Sequence, residues 1–320
     1  MIESHFEVHP IVPHLSDVNL KARAEEWLRQ EMPGLLEGRV RPVRDPTLDA
    51  SHFCYNISTQ ASCFDFAPWL INAVMVQRRE GAPAPIKIGF VSGPSGAVLT
   101  FSDQQDVMFQ KVLRPLLRLV GAIESETAKH GQHLQILGYG PITAAARRGE
   151  DVPRFHSPIA LNRQWAQKPV VITLRECVHC PERNSSLKDW LWFAKHLESR
   201  GENVLFVRDS MKADEPLQYR TYAPASKDIL IRMALYEQAK CLFFVSNGPW
   251  NLGLFSHRPY GAFINARDED ACNTPSAWRD NQGVPPGTQF PWAHEQQRVF
   301  WQPDTYRNLC TAWEELGLGA

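Results

Sequence analysis

Short apolar runs alternate with helical stretches through the second half of the chain, and this alternation constrains the fold more than any other feature. Val170–Leu174 (VVITL), Val204–Val207 (VLFV), Cys241–Val245 (CLFFV) and Tyr260–Ile264 (YGAFI) read as strands. Between them, Leu187–Arg200 puts Leu187, Trp190, Leu191, Phe193, Ala194 and Leu197 on one helical face and ends at Gly201. Ser186, with Asp189 three residues on, matches a capping box. Ile229–Gln238 reads as the next helix, and a short one starts near Pro249. Strands separated by helices predict a parallel sheet covered on both faces. The tail from Arg267 to Asp304 is turn-rich and aromatic, and Tyr306–Leu316 reads as a final helix.

The first half shows the same rhythm less clearly. Phe53–Ile57, Ile86–Val91 and Leu134–Gly138 read as strands. Phe66–Arg79 has helical apolar spacing. So do Phe109, Val112, Leu113, Leu116, Leu117 and Val120, with Pro115 inside the pattern as a kink or break. Leu20–Met32 reads as a helix in a preamble ended by Pro33-Gly34. Gly140–Pro169, rich in Pro and Gly, reads as a connection. The expected organisation is a preamble over residues 1–50, an α/β domain over 51–150 and a second over 151–320. At roughly 100–200 residues per domain, 320 residues accommodate it.

Charge narrows the partners. Lys plus Arg (34) nearly balances Asp plus Glu (35), so a general electrostatic grip on nucleic acid or an anionic membrane is not expected. No apolar run approaches the ~18 residues that span a bilayer, and the start (MIESHFEVHP) lacks the apolar core of a secretory signal. Seven cysteines, thinly spread, fit reduced thiols better than a disulfide framework. A cytoplasmic protein is expected.

In doubly wound sheets, ligands sit beyond the carboxyl ends of the strands. Three sets of residues fall there: Arg175, Glu176, Arg183, Asn184 and Ser185 after the first strand; Arg208 and Asp209 after the second; Ser246, Asn247, Gly248 and Pro249 after the third. Pro at a first helical position with Asn or Gly before it starts a helix whose free N–H groups and positive dipole end suit phosphate. Gly248 lets a ligand approach the backbone, and Arg175 and Arg183 offer charge-assisted contacts to a diphosphate. Each has a structural alternative: Arg175-Glu176 as a rim ion pair, Arg183 as a helix cover, Asn247-Gly248-Pro249 as a capped helix start. Further on, Gln289, Phe290 and Trp292 in a Pro/Gly-fixed loop could line a base or sugar pocket, or simply pin the tail.

Other signatures are missing or incomplete. Cys177 and Cys180 form a CxxC around His179, but no second ligand pair completes a zinc site. Pro181 and Glu182 also separate it from the following helix, unlike a thioredoxin-type motif. There is no GxxxxGK[ST] loop, GxGxxG fingerprint or GxSxG elbow, and the eleven histidines lack metal-ligand spacing. No metal and no resident cofactor are expected.

With these residues in view, the second half resembles the donor domain of GT-B-fold glycosyltransferases of the fucosyltransferase-like and heptosyltransferase-like kinds. The segments are Ile172–Glu176, Arg183-Asn184-Ser185, Val204–Ser210 and Ala234–Pro249, within roughly Val170 to Ile264. The resemblance implies two Rossmann-like doubly wound halves facing each other across a cleft. It implies a nucleotide-diphosphate sugar as co-substrate and a glycan or other hydroxyl acceptor. Arg175 would contact the diphosphate, with Arg183 second, and Asn247 and Gly248 would lie at the phosphate-facing helix start. Two departures stand out. The first half lacks a glycine-rich acceptor-side loop, and no DxD pair is present, Asp268-Glu269-Asp270 falling after the last strand read. Arginine and dipole neutralisation of the leaving group, without metal, is then expected. The base that deprotonates the acceptor should come from the first half, where Asp65 and Asp103 are the candidates. A nucleotide-sugar epimerase or hydrolase, or a non-catalytic nucleotide- or glycan-binding module, are the competing functions.

Overall fold

The structure, a computed structural model, describes residues 49–57, 60, 63–91, 103–134, 138–161, 165–178, 180–270 and 273–319. The predicted helix at Leu20–Met32 and residues 135–137 of the predicted strand Leu134–Gly138 lie outside the described residues.

In the first half the elements run β1 (His52–Asn56), α1 (Phe66–Arg79), β2 (Lys87–Val91), α2 (Asp103–Met108), a π-helical turn (Phe109–Leu113), α3 (Arg114–Leu119), β3 (Ile123–Glu124), β4 (Gln132–His133) and α4 (Gly140–Arg147). Pro115 has no N–H to give to a continuous helix. The chain absorbs this by widening into the π turn and restarting, with Pro115 in the first turn of α3. The four strands are all parallel in the order β3-β2-β1-β4. Gly89 on β2 is required, because a Cβ there would overlap the Ala128–Lys129 backbone that crosses the strand.

The second half follows as β5 (Val170–Thr173), α5 (Leu187–Ser199), β6 (Val204–Val207), α6 (Ala223–Lys227), α7 (Ile229–Gln238), β7 (Cys241–Val245), α8 (Trp250–Leu254), β8 (Tyr260–Phe263), α9 (Pro275–Asp280), β9 (Gln297–Phe300) and α10 (Tyr306–Glu315). Its five strands are parallel in the order β6-β5-β7-β8-β9. Side chains alternate between two cores. Val170, Ile172, Phe206 and Phe243 pack with Trp190, Phe193 and Leu197 of α5 and Leu309 and Trp313 of α10. Val171, Leu205, Leu242 and Phe244 face the other way, onto Met233 and Tyr236 of α7 and Trp250 and Leu252 of α8. The sheet is therefore doubly wound. The second of these cores runs on into Phe53, Phe66, Trp69 and Phe90 of the first half.

Several elements differ from the sequence reading. The connection beginning at Gly140 opens with α4, started by Pro141. The tail holds α9 and the strand β9, and β4 at Gln132–His133 precedes the strand read at Leu134–Gly138. The frame is GT-B-like: two parallel sheets with flanking helices. No helix among the described residues is long and apolar enough to cross a membrane.

Candidate functional site

Each sheet has one place where the strand order reverses, and a crevice opens there at the carboxyl ends of the strands. In the second sheet it lies between β5 and β7; in the first, between β1 and β4. Arg175 and the 176–184 loop leave β5, and Ser246, Asn247 and Gly248 leave β7. Phe64 and Asp65 end the segment that leaves β1.

The two crevices meet. A Cβ on Gly248 would fall 2.5–3.0 Å from the Phe64 side chain, so the close approach that glycine permits is made by a side chain of the first half. Asp65, next to Phe64, is exposed at the mouth of α1 and makes no side-chain cap bond. Cys63 beside it is half-buried, and its desolvation pushes the thiol up to about 12, with the Asp65 charge adding to the effect. Behind this contact the Tyr139 hydroxyl donates to Asn251 Oδ1 of α8 at 2.9 Å. Burial, and secondarily the charge of Asp65, raises that phenol far above its ordinary range.

Around the β5 and β7 ends, Arg183 donates from Nη2 to both the carbonyl and the hydroxyl of Ser246, each at 3.3 Å. The Ser246 hydroxyl donates to Asn273 Oδ1, and Asn273 donates from its side chain to Asp270 Oδ2. Asp270 lies 3.7 Å from Arg183 Nε, closing a four-residue ring. Arg183, Asn184, Ser246, Asp270 and Asn273, with Asp304 from beyond β9, line a cavity of about 60 Å3. Arg183 Nε is buried there without a hydrogen bond.

Arg175 sits beside this cavity with its guanidinium turned to its own loop, Nη1 donating to the Cys180 carbonyl and to Asn184 Oδ1 at 2.7 and 2.6 Å. Asn184 also accepts from Cys177 N and donates to its carbonyl. One amide thus ties Arg175, Cys177 and the cavity wall together. Cys180, in this loop, takes a positive φ of 51°. Glu176 pairs not with Arg175 but with Arg208 at the end of β6, through two bonds of 2.9 and 2.5 Å. Asp209 follows, half-buried, opening a single 3-10 turn.

Asn247 caps α8 itself, accepting from Trp250 N at 2.9 Å, and Pro249 is the residue before the helix rather than its first. Gln289 and Trp292 lie away from the cavity. The Gln289 amide pairs with both backbone groups of Val299, and Trp292 stacks on Phe255 and donates to the Leu254 carbonyl. Both pin the tail, the structural alternative noted for them. Asp103 is the first residue of α2, and its side chain lies outside the described residues, as does His179. The capping box also closes differently: Ser186 bonds the Asp189 side chain, while Asp304 takes the Ser186 N–H.

The sequence reading missed Asp270, Asn273 and Asp304 as site residues. Asp270 and Asn273 lie beyond β8, a strand that was read, so the rule that singled out Arg175 and Ser246 applied to them as well; Asp304 lies beyond β9, a strand that the turn-rich tail concealed.

No family model and no curated protein matches the chain. The solved structures that are similar include three glycosyltransferase chains. The bacterial iron-containing dodecameric glycosyltransferase TibC from enterotoxigenic E. coli is 12% identical, with a TM-score of 0.47 over 83% of this chain and 76% of that one. TibC as a heptosyltransferase in complex with ADP-D-beta-D-heptose is 13% identical, with a TM-score of 0.49 over 84% and 77%. A family 9 glycosyl transferase from Veillonella parvula is 10% identical, with a TM-score of 0.47 over 84% and 97%.

Proposed function

We propose that the protein is a glycosyltransferase that moves a sugar from a nucleotide-diphosphate donor to a hydroxyl acceptor without a metal ion. One observation carries this reading: the crevices of two doubly wound sheets open onto each other at the Phe64–Gly248 contact, with a half-buried arginine whose Nε makes no hydrogen bond on one side and an exposed carboxylate on the other.

The donor's diphosphate binds at the ends of β5 and β7. Arg183 supplies the charge, from a position that Ser246 fixes. Arg175 and Asn184 hold the loop that carries it, and Arg175 reaches the diphosphate if that loop opens. Asn247 and Gly248 form the floor, and Asp209 stands at the β6 end for the nucleoside. A guanidinium fixed in a dry site stabilises the charge that builds on the leaving diphosphate without reorganising. Asp65 takes the proton from the acceptor hydroxyl as the sugar transfers; Asp103 is the second candidate.

The test is thermal and calorimetric titration with ADP, GDP and UDP. One of them should stabilise the protein, and Arg183→Ala should weaken it by about 10- to 100-fold, the value of a charge-assisted hydrogen bond. Transfer from the matching nucleotide sugar should survive a chelator and fall steeply in Asp65→Asn. Release of free sugar regardless of acceptor would mark a hydrolase instead, and indifference to all three nucleotides would end the proposal.

A further inference from the structure

The cavity at the β5 and β7 ends holds more than an anion's complement. Its wall includes Asp304, contributed by the segment between β9 and α10. One oxygen of that carboxylate is fully used: Oδ2 accepts from Ser186 N at 2.9 Å and from Trp190 Nε1 at 2.6 Å. Trp190 is wholly buried and Ser186 stands at the start of α5, so these two bonds fix the carboxylate's direction. Oδ1 has no hydrogen-bond partner among the described residues, and Asp304 is only half-buried.

Two residues of one cavity lining therefore have a polar atom without a hydrogen bond: Arg183 at Nε, which has only the Asp270 carboxylate at 3.7 Å, and Asp304 at Oδ1. A bare diphosphate offers acceptors only. It satisfies the arginine and is repelled by the aspartate. A ligand that satisfies both carries a hydroxyl close to its phosphate, as a ribose or a sugar 1-phosphate does. A carboxylate held in a fixed direction favours a ligand with a hydroxyl placed to donate to it over one that brings only negative oxygens.

We infer that Asp304 is a specificity-determining residue, accepting a hydrogen bond from a hydroxyl of the phosphate-bearing ligand. This rests on the proposed function, since it assumes that the phosphate binds at Arg183.

The experiment is a calorimetric cycle on the full chain. Wild type and Asp304→Asn are each titrated with pyrophosphate, with the nucleoside diphosphate that binds, with its 2′-deoxy form, and with the nucleotide sugar and a deoxy-sugar version of it. Asparagine keeps an acceptor for Ser186 and Trp190 but loses the charge. In wild type, removing the right hydroxyl should weaken binding about tenfold or more. In Asp304→Asn the same removal should have little effect, and pyrophosphate should bind as well as before or better. Coupling in the ribose arm assigns the hydroxyl to the nucleoside; coupling in the sugar arm alone assigns it to the transferred sugar.

Equal losses in both proteins for every hydroxyl removed would overturn the inference and leave the proposed function standing. So would a uniform weakening that includes pyrophosphate, because that is what a merely structural residue gives. Failure of wild type to bind pyrophosphate or any nucleoside diphosphate overturns the proposed function, and the role of Asp304 with it. If Asp304→Asn does not fold, Asp304→Ser carries the same comparison.

Discussion

Arg208 and Glu176 show how the rim of the second sheet is held at the level of single side chains. The pair is bidentate, with side chains 5% and 12% exposed, and Arg208 adds bonds to the carbonyls of Glu215 and Pro216. A buried pair contributes little net stability when intact, because desolvation offsets the attraction; removing one partner leaves an uncompensated charge. Arg208→Met should therefore destabilise the protein by about 3–5 kcal/mol, read as a lower urea midpoint at unchanged slope, and Arg208→Lys by less. An unaltered midpoint in Arg208→Met would mean that Glu176 is already solvated. The sequence placed Arg175, Arg183, Asn184 and Ser246 correctly at one sheet edge, since that follows from strand ends alone. It could not say that Glu176 turns to Arg208, or that the Arg175 guanidinium turns to Cys180 and Asn184. Those directions depend on the path of the 176–184 loop, which no periodicity encodes.

Among the elements, legibility followed amphipathic signal. α1, α7, β6 and β7 have the bounds that their apolar patterns give. α4 was hidden because Gly140-Pro141 reads as a loop signal, yet Pro is well placed in a helix's first turn. β9 was hidden because half of it is polar. Gln297 is nevertheless buried, its amide donating to the carbonyls of Ser256 and Arg258, so the polar residue serves as a bracket rather than a surface. α7 offers a clean test of local control. Asp228 precedes it and accepts from Leu230 N at 2.7 Å and Ile231 N at 3.2 Å. Asp228→Ala removes the acceptor for two otherwise unpaired N–H groups and should cost about 0.5–2 kcal/mol, with Asp228→Asn or Asp228→Ser recovering most of it. Equal losses in all three variants would show that the fold, not the cap, sets where the helix begins.

For the whole molecule the decisive contact is the one between halves, and it was the least legible feature, because the pattern within each half says nothing of where the other sits. The cross-links are particular: Gln282 Oε1 accepts from Tyr139 N, Thr143 and Arg147 of α4 donate to the carbonyls of Gln282 and Gly283, and Phe64 fills the space over Gly248. If Phe64 and Gly248 set the spacing of the two crevices, a methyl group at Gly248 acts only through Phe64. Gly248→Ala should cost about 1–3 kcal/mol through overpacking, and Phe64→Ala should carry its own cost from lost burial. In the double variant the alanine at 248 enters space that the ring has vacated, so its added cost should fall to within about 0.5 kcal/mol of zero. Denaturant unfolding of the four proteins measures this directly. Additive losses would mean that residue 248 is constrained by its own turn, and the two crevices would then need some other contact to keep them facing. A coupled result with weakened nucleotide binding in Phe64→Ala would tie the spacing of the halves to the donor site itself.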